Sequence, residues 1–265
     1  MKHIVQYSFG ESSWYAGKLT VERHGPDDVI HLFADTMSED VDTYRWGRIG
    51  ASKIGGNLVE VADGRDIWQV FRDERMIGNT RADPCSKILK RQMCDRWVRE
   101  RFGPDECVLY YGIGLFEKER ADAIRARVLP YRAEFPLLAP PYPGPADIRA
   151  AVLAAGLWVQ DLYREGFAHA NCGGACVKGG QGQWLRLLEK RPASFRHHEE
   201  QEEAVRRFLG KDVAILRDRR GGTTKPFTLQ QLRLRSEAGE KCDDPGPAGA
   251  CGCFADAEEE EYPTL

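Results

Sequence analysis

The sequence predicts an α/β protein: a doubly wound, mostly parallel sheet followed by a smaller α+β region rich in cysteine. Three observations carry this reading. Apolar strand-like runs alternate with helix-like runs through the first half of the 265-residue chain, as in a parallel sheet covered by helices on both faces. The stretch RAEFPLLAPPYPGPADIR interrupts that rhythm, because so many prolines exclude regular helix and central strand. Beyond it come helices, a glycine-rich segment and most of the cysteines. The expected organisation is a nucleotide-binding domain over 1–135, a helical, cysteine-rich region over 136–253 and an acidic tail over 254–265.

The elements follow in order. KHIVQYS reads as the first strand. SWYAGKLTVERHG has helical periodicity, with Ser13 as N-cap and Gly25 as C-cap. DVIHLFADT is a second strand, mostly apolar and therefore central. EDVDTYRWGRIGASKIG is a helix running into a loop, NLVEVADG a third strand, PCSKILKRQMCDRWVRERFG a helix and CVLYYGIG a fourth strand. After the proline run, PADIRAAVLAAG is a helix with Pro145 in its first turn. Helices are expected near 182–190 and 197–209, a hairpin in VAILRDRRGGTTKPFTL, and a last helix from about Thr228.

Composition narrows the class. An apolar fraction of 42% and a charged fraction of 30% fit a soluble globular protein. No apolar run nears the roughly 18 residues of a membrane helix, and MKHIVQYS is too short and polar for a signal peptide, so a cytoplasmic protein is expected. A net charge of −3 argues against a uniformly basic nucleic-acid binder, though not against a local basic groove.

In parallel sheets ligands bind outside the carboxyl ends of the strands. Four polar loops fall there: Ser8–Ser13, Asp35–Thr36, Asp63–Arg65 and Gly112–Arg120. The first suits an anion. Gly10 lets backbone approach a ligand, Ser8, Ser12 and Ser13 bring hydroxyls, and the following helix points free N–H groups and its positive end at the loop. It matches neither G-x-x-x-x-G-K-[ST] nor G-x-G-x-x-G. A plain strand–helix turn with a serine cap has the same local chemistry.

With Asp35 and Thr36 ending the second strand, the loop resembles that of the PP-loop family, which includes ATP pyrophosphatases, adenine-nucleotide alpha hydrolases and phosphoadenosine phosphosulfate reductases. Their loop runs S-G-G-x-D-S. Ser8 and Ser13 match its serines and Gly10 its second glycine, while Phe9 replaces the first glycine and Ser12 stands where many members carry Asp. Those departures favour the reductase branch. DPCSKILKRQMCDRW is similar to the family's cysteine-and-basic segment, and Gly112, Glu117 and Arg120 match its later G-[IL]-x-x-x-E-x-x-R loop. The resemblance, which extends to bacterial and phage reductase-like proteins, implies binding of ATP or a phosphoadenosine derivative with Mg2+. It implies nucleotide contacts from Ser8, Gly10, Ser12, Ser13, Asp35, Thr36, Gly112 and Glu117, and catalytic roles for Asp35, Cys85, Lys90 and Arg120. Arg81 and Lys87 add positive charge near the strand ends. Cys85, in the first turn of a helix beside lysines, is expected to have a lowered pKa as a reactive thiol or sulfur acceptor, and reads equally as a packed cap residue.

The eight cysteines suggest a second centre. Cys94 and Cys107 read as small buried hydrophobes. Cys172 and Cys176 lie in the glycine-rich loop, with Cys251 and Cys253 near the chain's end and Cys242 nine residues before Cys251. Cys172, Cys176, Cys251 and Cys253 form a plausible four-thiolate set for zinc or a 4Fe–4S cluster. Lys178 and Trp184 offer charge and a stacking face, and His169, His197 and His198 are further ligand candidates, each equally at home in a structural role. Cys251 also has a reading as the nucleophile of a reductase tail, E-C-G-x-H, although ACGCF lacks the Glu and the His. Three functions follow from the resemblance: adenylylation of a substrate for sulfur transfer or nucleobase modification, thiol-dependent sulfonucleotide reduction, and a metal-stapled nucleotide-binding module without turnover. Expected partners are a small-molecule nucleotide and a nucleic acid or sulfur-donor protein, with a homodimer as the candidate assembly and no membrane.

Overall fold

Five strands pair in parallel in the order β3-β2-β1-β4-β5: β1 (Lys2–Gln6), β2 (Val29–Asp35), β3 (Asn57–Ala62), β4 (Cys107–Tyr110) and β5 (Arg132–Glu134). The structure is a computed structural model that describes residues 1–240. Alternation along the strands fills both faces. Ile4, Leu32 and Leu109 point into one apolar layer with Cys94, Cys107, Ala121 and Ile124. Their neighbours Val5, Phe33 and Tyr110 point into the other with Trp14, Trp46 and Val152. This is the doubly wound α/β arrangement that the alternating runs imply. The edge strand β5 was not expected. It is three residues long, it has no apolar run, and only its pairing with β4 makes it a strand.

Helices α1 (Glu11–His24) and α2 (Val41–Ile54) precede the short α3 (Ile67–Asp73). The segment expected as one long helix runs as α4 (Pro84–Ser86), a wide π-helical stretch Lys87–Gln92 and α5 (Met93–Arg99). That stretch turns Leu89, Lys90 and Arg91 inward together; such widened turns recur at functional sites. Next come α6 (Lys118–Val128), α7 (Pro145–Ala154), α8 (Asp161–Arg164), α9 (Gln181–Lys190) and α10 (Pro192–Leu209), the antiparallel hairpin β6 (Leu216–Asp218) and β7 (Lys225–Phe227), and α11 (Leu229–Glu237).

A third apolar cluster joins Ile67, Trp68, Phe71 and Leu89 to Leu162, Trp184, Leu187, Phe195 and Phe227. Trp184 is thus a core side chain with no exposure. His198 accepts from Trp68 Nε1 at 3.1 Å in the same core, and burial lowers its pKa to about 4. Glu202 ties the hairpin to α10 and α11 by accepting from the N–H groups of Ile215 (2.9 Å) and Leu229 (2.7 Å). Among the described residues no helix is long and apolar enough to cross a membrane.

Candidate functional site

The chain leaves β1 toward β2 on one side and reaches β4 on the other, so the switch point of the sheet lies between β1 and β4, where open parallel sheets place ligands. A cleft of about 680 Å³ opens there, within the roughly 300–1,000 Å³ of small-molecule sites. Its walls bring together Ser8, Gly10, Ser12, Ser13, Lys90, Gly112, Glu117 and Arg120.

The first loop is built differently from expectation. Gly10, not Ser13, is the N-cap, and α1 begins at Glu11. Ser13 sits inside the first turn, its Oγ accepting from Ser8 N (3.1 Å) and donating to Gly10 O (2.8 Å). The early start follows from Phe9, whose φ of 59° turns the chain into the helix at once. That left-handed backbone is normally glycine's, and for a bulky residue it is strained. Packing holds it. The Phe9 ring stacks on Phe33 with centroids 3.6 Å apart, Gln160 Nε2 donates to Phe9 O at 3.0 Å, and Gly47 leaves the space the ring fills, since a Cβ there would lie 2.0 Å from Phe9 Cγ. Gly112 is demanded by close approach: its Cβ would meet Ser12 O at 2.6 Å and Ser13 N at 2.8 Å. The loops after β1 and β4 therefore lie against each other, with the first-turn N–H groups of α1 at the cleft.

Lys90 is the cation at the floor, 5% exposed. Its Nζ donates to Glu39 Oε1 at 3.1 Å. Burial opposes its charge, but Glu39 and the nearby thiols outweigh that and hold its pKa above the ordinary lysine value. Arg120 pairs with Glu117 at the mouth, and Arg149 Nε donates to Glu11 Oε2 at 2.8 Å. Four buried polar atoms of the lining make no hydrogen bond among the described residues: Gln6 Oε1, His169 Nδ1, Arg120 Nε and Glu11 Oε1, the last in an ion pair with Arg149 at 2.6 Å. Buried polar atoms are ordinarily satisfied by protein or water, so the hydrogen-bonding capacity of these atoms is left unused by the protein itself. Burial first and Lys90 second lower the His169 pKa, leaving a neutral imidazole at pH 7.

Other expected residues fall elsewhere. Asp35 is absent from the cleft lining; its Oδ1 accepts from Met37 N (2.7 Å) and Tyr44 Oη (2.5 Å). Thr36 Oγ1 donates to Glu39 at 3.3 Å and faces a second, smaller chamber. Arg81 and Lys87 are exposed outside the cleft. Asp63 and Arg65 pair with each other.

The second chamber, about 20 Å³, is lined by Cys85, Cys172, Cys176, Thr36, Lys90 and others. It corrects the reading of Cys85. Burial pushes that thiol up to about 12, with Cys176 and Asp83 adding to the shift; the helix start and Lys90 do not compensate for lost solvent. The thiol held toward thiolate is Cys176, which accepts from the Cys172 thiol and from the Lys178 N–H, while Cys172 itself is pushed up by giving that hydrogen bond. The backbone N–H of Cys172 donates to Glu39 Oε2 at 2.6 Å. Of the expected metal set, Cys251 and Cys253 lie outside the described residues, as does Cys242. Among the described residues no group of three or more His, Cys, Asp or Glu is placed to hold a metal ion. The chamber has the volume of about one water. Cys94 and Cys107 are core residues.

Sequence reasoning missed Glu39 and Gln6. Glu39 sits in an acidic turn, SED, indistinguishable from solvated loop, and Gln6 ends a strand like any polar residue. Comparison with models of known protein families gives no match, and none of the curated proteins matches the chain. The fold itself places the chain among α/β proteins with a Rossmann-like five-stranded parallel sheet of order 3-2-1-4-5.

Proposed function

We propose that the chain is an adenine-nucleotide-dependent enzyme of PP-loop type, related to the phosphoadenosine phosphosulfate reductases, that activates a substrate by adenylylation. The observation that carries this is the cleft at the switch point, where a serine-rich loop, a helix start, Lys90 and the unused polar atoms of Gln6, Arg120 and His169 converge. In this reading the polyphosphate lies over Ser8–Ser13 and accepts from the α1 N–H groups. A substrate oxygen attacks the α-phosphorus, the bond to the bridging oxygen breaks, and pyrophosphate leaves. Lys90 and Arg120 offset the charge that builds on the phosphoryl oxygens, and fixed backbone donors do so without reorganising. Mg2+ arrives with the nucleotide, carried by phosphate oxygens. Asp35, already engaged by Tyr44 and Met37, orders the β2 turn in this scheme.

The test is release of pyrophosphate and AMP from ATP by purified protein with magnesium and candidate acceptors, against Ser13→Ala. Equal release by the two proteins, or none by either, sinks the reading. A second reading, thiol-dependent sulfonucleotide reduction, draws on the thiol chamber sharing Lys90 with the cleft. It predicts sulfite release under reducing conditions, which adenylylation does not.

A further inference from the structure

The thiol chamber takes no part in adenylyl transfer, yet it is joined to the cleft through one continuous set of contacts. Cys172 N donates to Glu39 Oε2 at 2.6 Å, and Glu39 Oε1 accepts from Lys90 Nζ at 3.1 Å. Lys90 lines both cavities. The two side chains of the ion pair are 6% and 2% exposed, so no solvent stands ready to replace a lost partner.

The turn carrying the thiols is unusual. Cys172, Gly173 and Gly174 have successive φ values of 52°, 59° and 88°, and Ala175 N donates to Cys172 O at 2.9 Å. This reversal puts two cysteines four positions apart on the wall of one small chamber. Glycine adopts such φ values without strain, whereas Cys172 does not. Cys176 is buried and Cys172 half-buried as a residue, so Cys172 is the less enclosed of the two.

We infer that Cys172 and Cys176 form a reversible disulfide whose state sets the phosphate affinity of the cleft through Glu39 and Lys90. The inference rests on the reading of the cleft as a phosphate site. The oxidant is a low-molecular-weight disulfide. One protein sulfur attacks it, forming a mixed disulfide and releasing one small thiol. The second protein sulfur then displaces the other small thiol. Both protein sulfurs lose their hydrogens, and two electrons pass to the reagent. A disulfide requires Cβ atoms about 3.8 Å apart and a C–S–S–C dihedral near 90°; in this inference the strained, left-handed Cys172 turns as the bond closes, and its N–H leaves Glu39. Deprived of a charge-assisted donor, the Glu39 carboxylate draws Lys90 closer and away from a bound phosphate. Loss of one such bond weakens anion binding by on the order of tenfold. By reciprocity, bound phosphate resists oxidation by the same factor.

The experiment compares the full-length protein reduced and after treatment with glutathione disulfide, titrating each with pyrophosphate by calorimetry and mapping cross-links by peptide mass spectrometry. The expected result is a Cys172–Cys176 cross-link, about tenfold weaker pyrophosphate binding, and recovery on reduction. Cys176→Ser should bind equally with and without oxidant, and Glu39→Gln should form the cross-link without changing affinity. The parent comparison decides the matter even if a variant fails to fold. A cross-link through Cys85 or the C-terminal cysteines instead, zinc or iron bound at Cys172 and Cys176 in the isolated protein, or equal affinity in both states would overturn the inference. Absence of pyrophosphate binding by the reduced protein is a different failure: it removes the phosphate reading itself.

Discussion

Replacing Gly112 by Ala tests whether the two loops at the switch point form one anion site. The new Cβ would stand 2.6 Å from Ser12 O, 2.7 Å from Ser12 C and 2.8 Å from Ser13 N, and ordinary contact begins at 3.4 Å. The loops must therefore part by roughly 0.8 Å, because the atoms met are backbone and cannot rotate aside. Overpacking of this kind costs about 1–3 kcal/mol. The gain of about 0.4–1 kcal/mol that Gly→Ala brings by restricting the unfolded chain does not cancel it. Melting should fall by about 2–4 °C per kcal/mol. The larger effect should be on binding, because the displaced groups include the Ser13 N–H at the cleft; a shift approaching 1 Å at such donors costs up to about 100-fold. Thermal melts and calorimetric titration with pyrophosphate measure both. Gly114→Ala, in the same loop with nothing within 4 Å of its Cβ, is the packing control and should leave the melting temperature unchanged. A Gly112→Ala protein that melts no lower than the parent and binds pyrophosphate equally would refute the arrangement.

Lys90→Met should abolish pyrophosphate binding and destabilise the fold by about 3–5 kcal/mol through the uncompensated Glu39 carboxylate; adding Glu39→Gln should recover much of the stability and none of the binding, read by urea unfolding and calorimetry. Burial raises the Glu202 pKa from 4.5 to about 7 against two backbone N–H bonds. The folded state thus binds this proton more tightly than the unfolded state. Its contribution is full below the unfolded value and is lost as pH rises through about 7, a change of about 3 kcal/mol. Urea midpoints at about pH 5 and about pH 8 should show the parent losing more stability than Glu202→Gln on going to the higher pH; an equal change in both would discard the assignment. Gly47→Ala should destabilise by several kcal/mol by driving Phe9 off Phe33, while Phe9→Gly should relieve the strained φ yet still lose about 2 kcal/mol or more net to the emptied core, both visible in thermal melts. Thr228→Ala, which removes the cap accepting from Gln231 N at 3.1 Å, should cost about 1 kcal/mol by the same assay.

Local order was legible in the sequence wherever one-dimensional periodicity carries it. Four strands, the helices after the first two, the C-terminal hairpin and the Thr228 helix start follow from alternation, caps and turn residues, whereas α3 was not expected and the helix expected from Pro84 is broken by the π-helical stretch. The phosphate-loop candidate was legible too, since Ser8, Gly10 and Ser13 lie within six positions of one another. What tertiary structure alone decided depends on contacts between distant segments. β5 exists only because β4 pairs with it. Phe9 holds a glycine-like conformation because Phe33 and Gly47 make room for its ring. The Cys85 thiol is held protonated because desolvation exceeds the pull of a short helix start, and Asp35 turns from the cleft because Tyr44 reaches it from α2. Glu39 acquires meaning only when Thr36, Lys90 and Cys172, spread over 137 positions of sequence, close around it. Periodicity is a property of neighbours along the chain, whereas a charge's worth depends on how much water the whole fold removes from it.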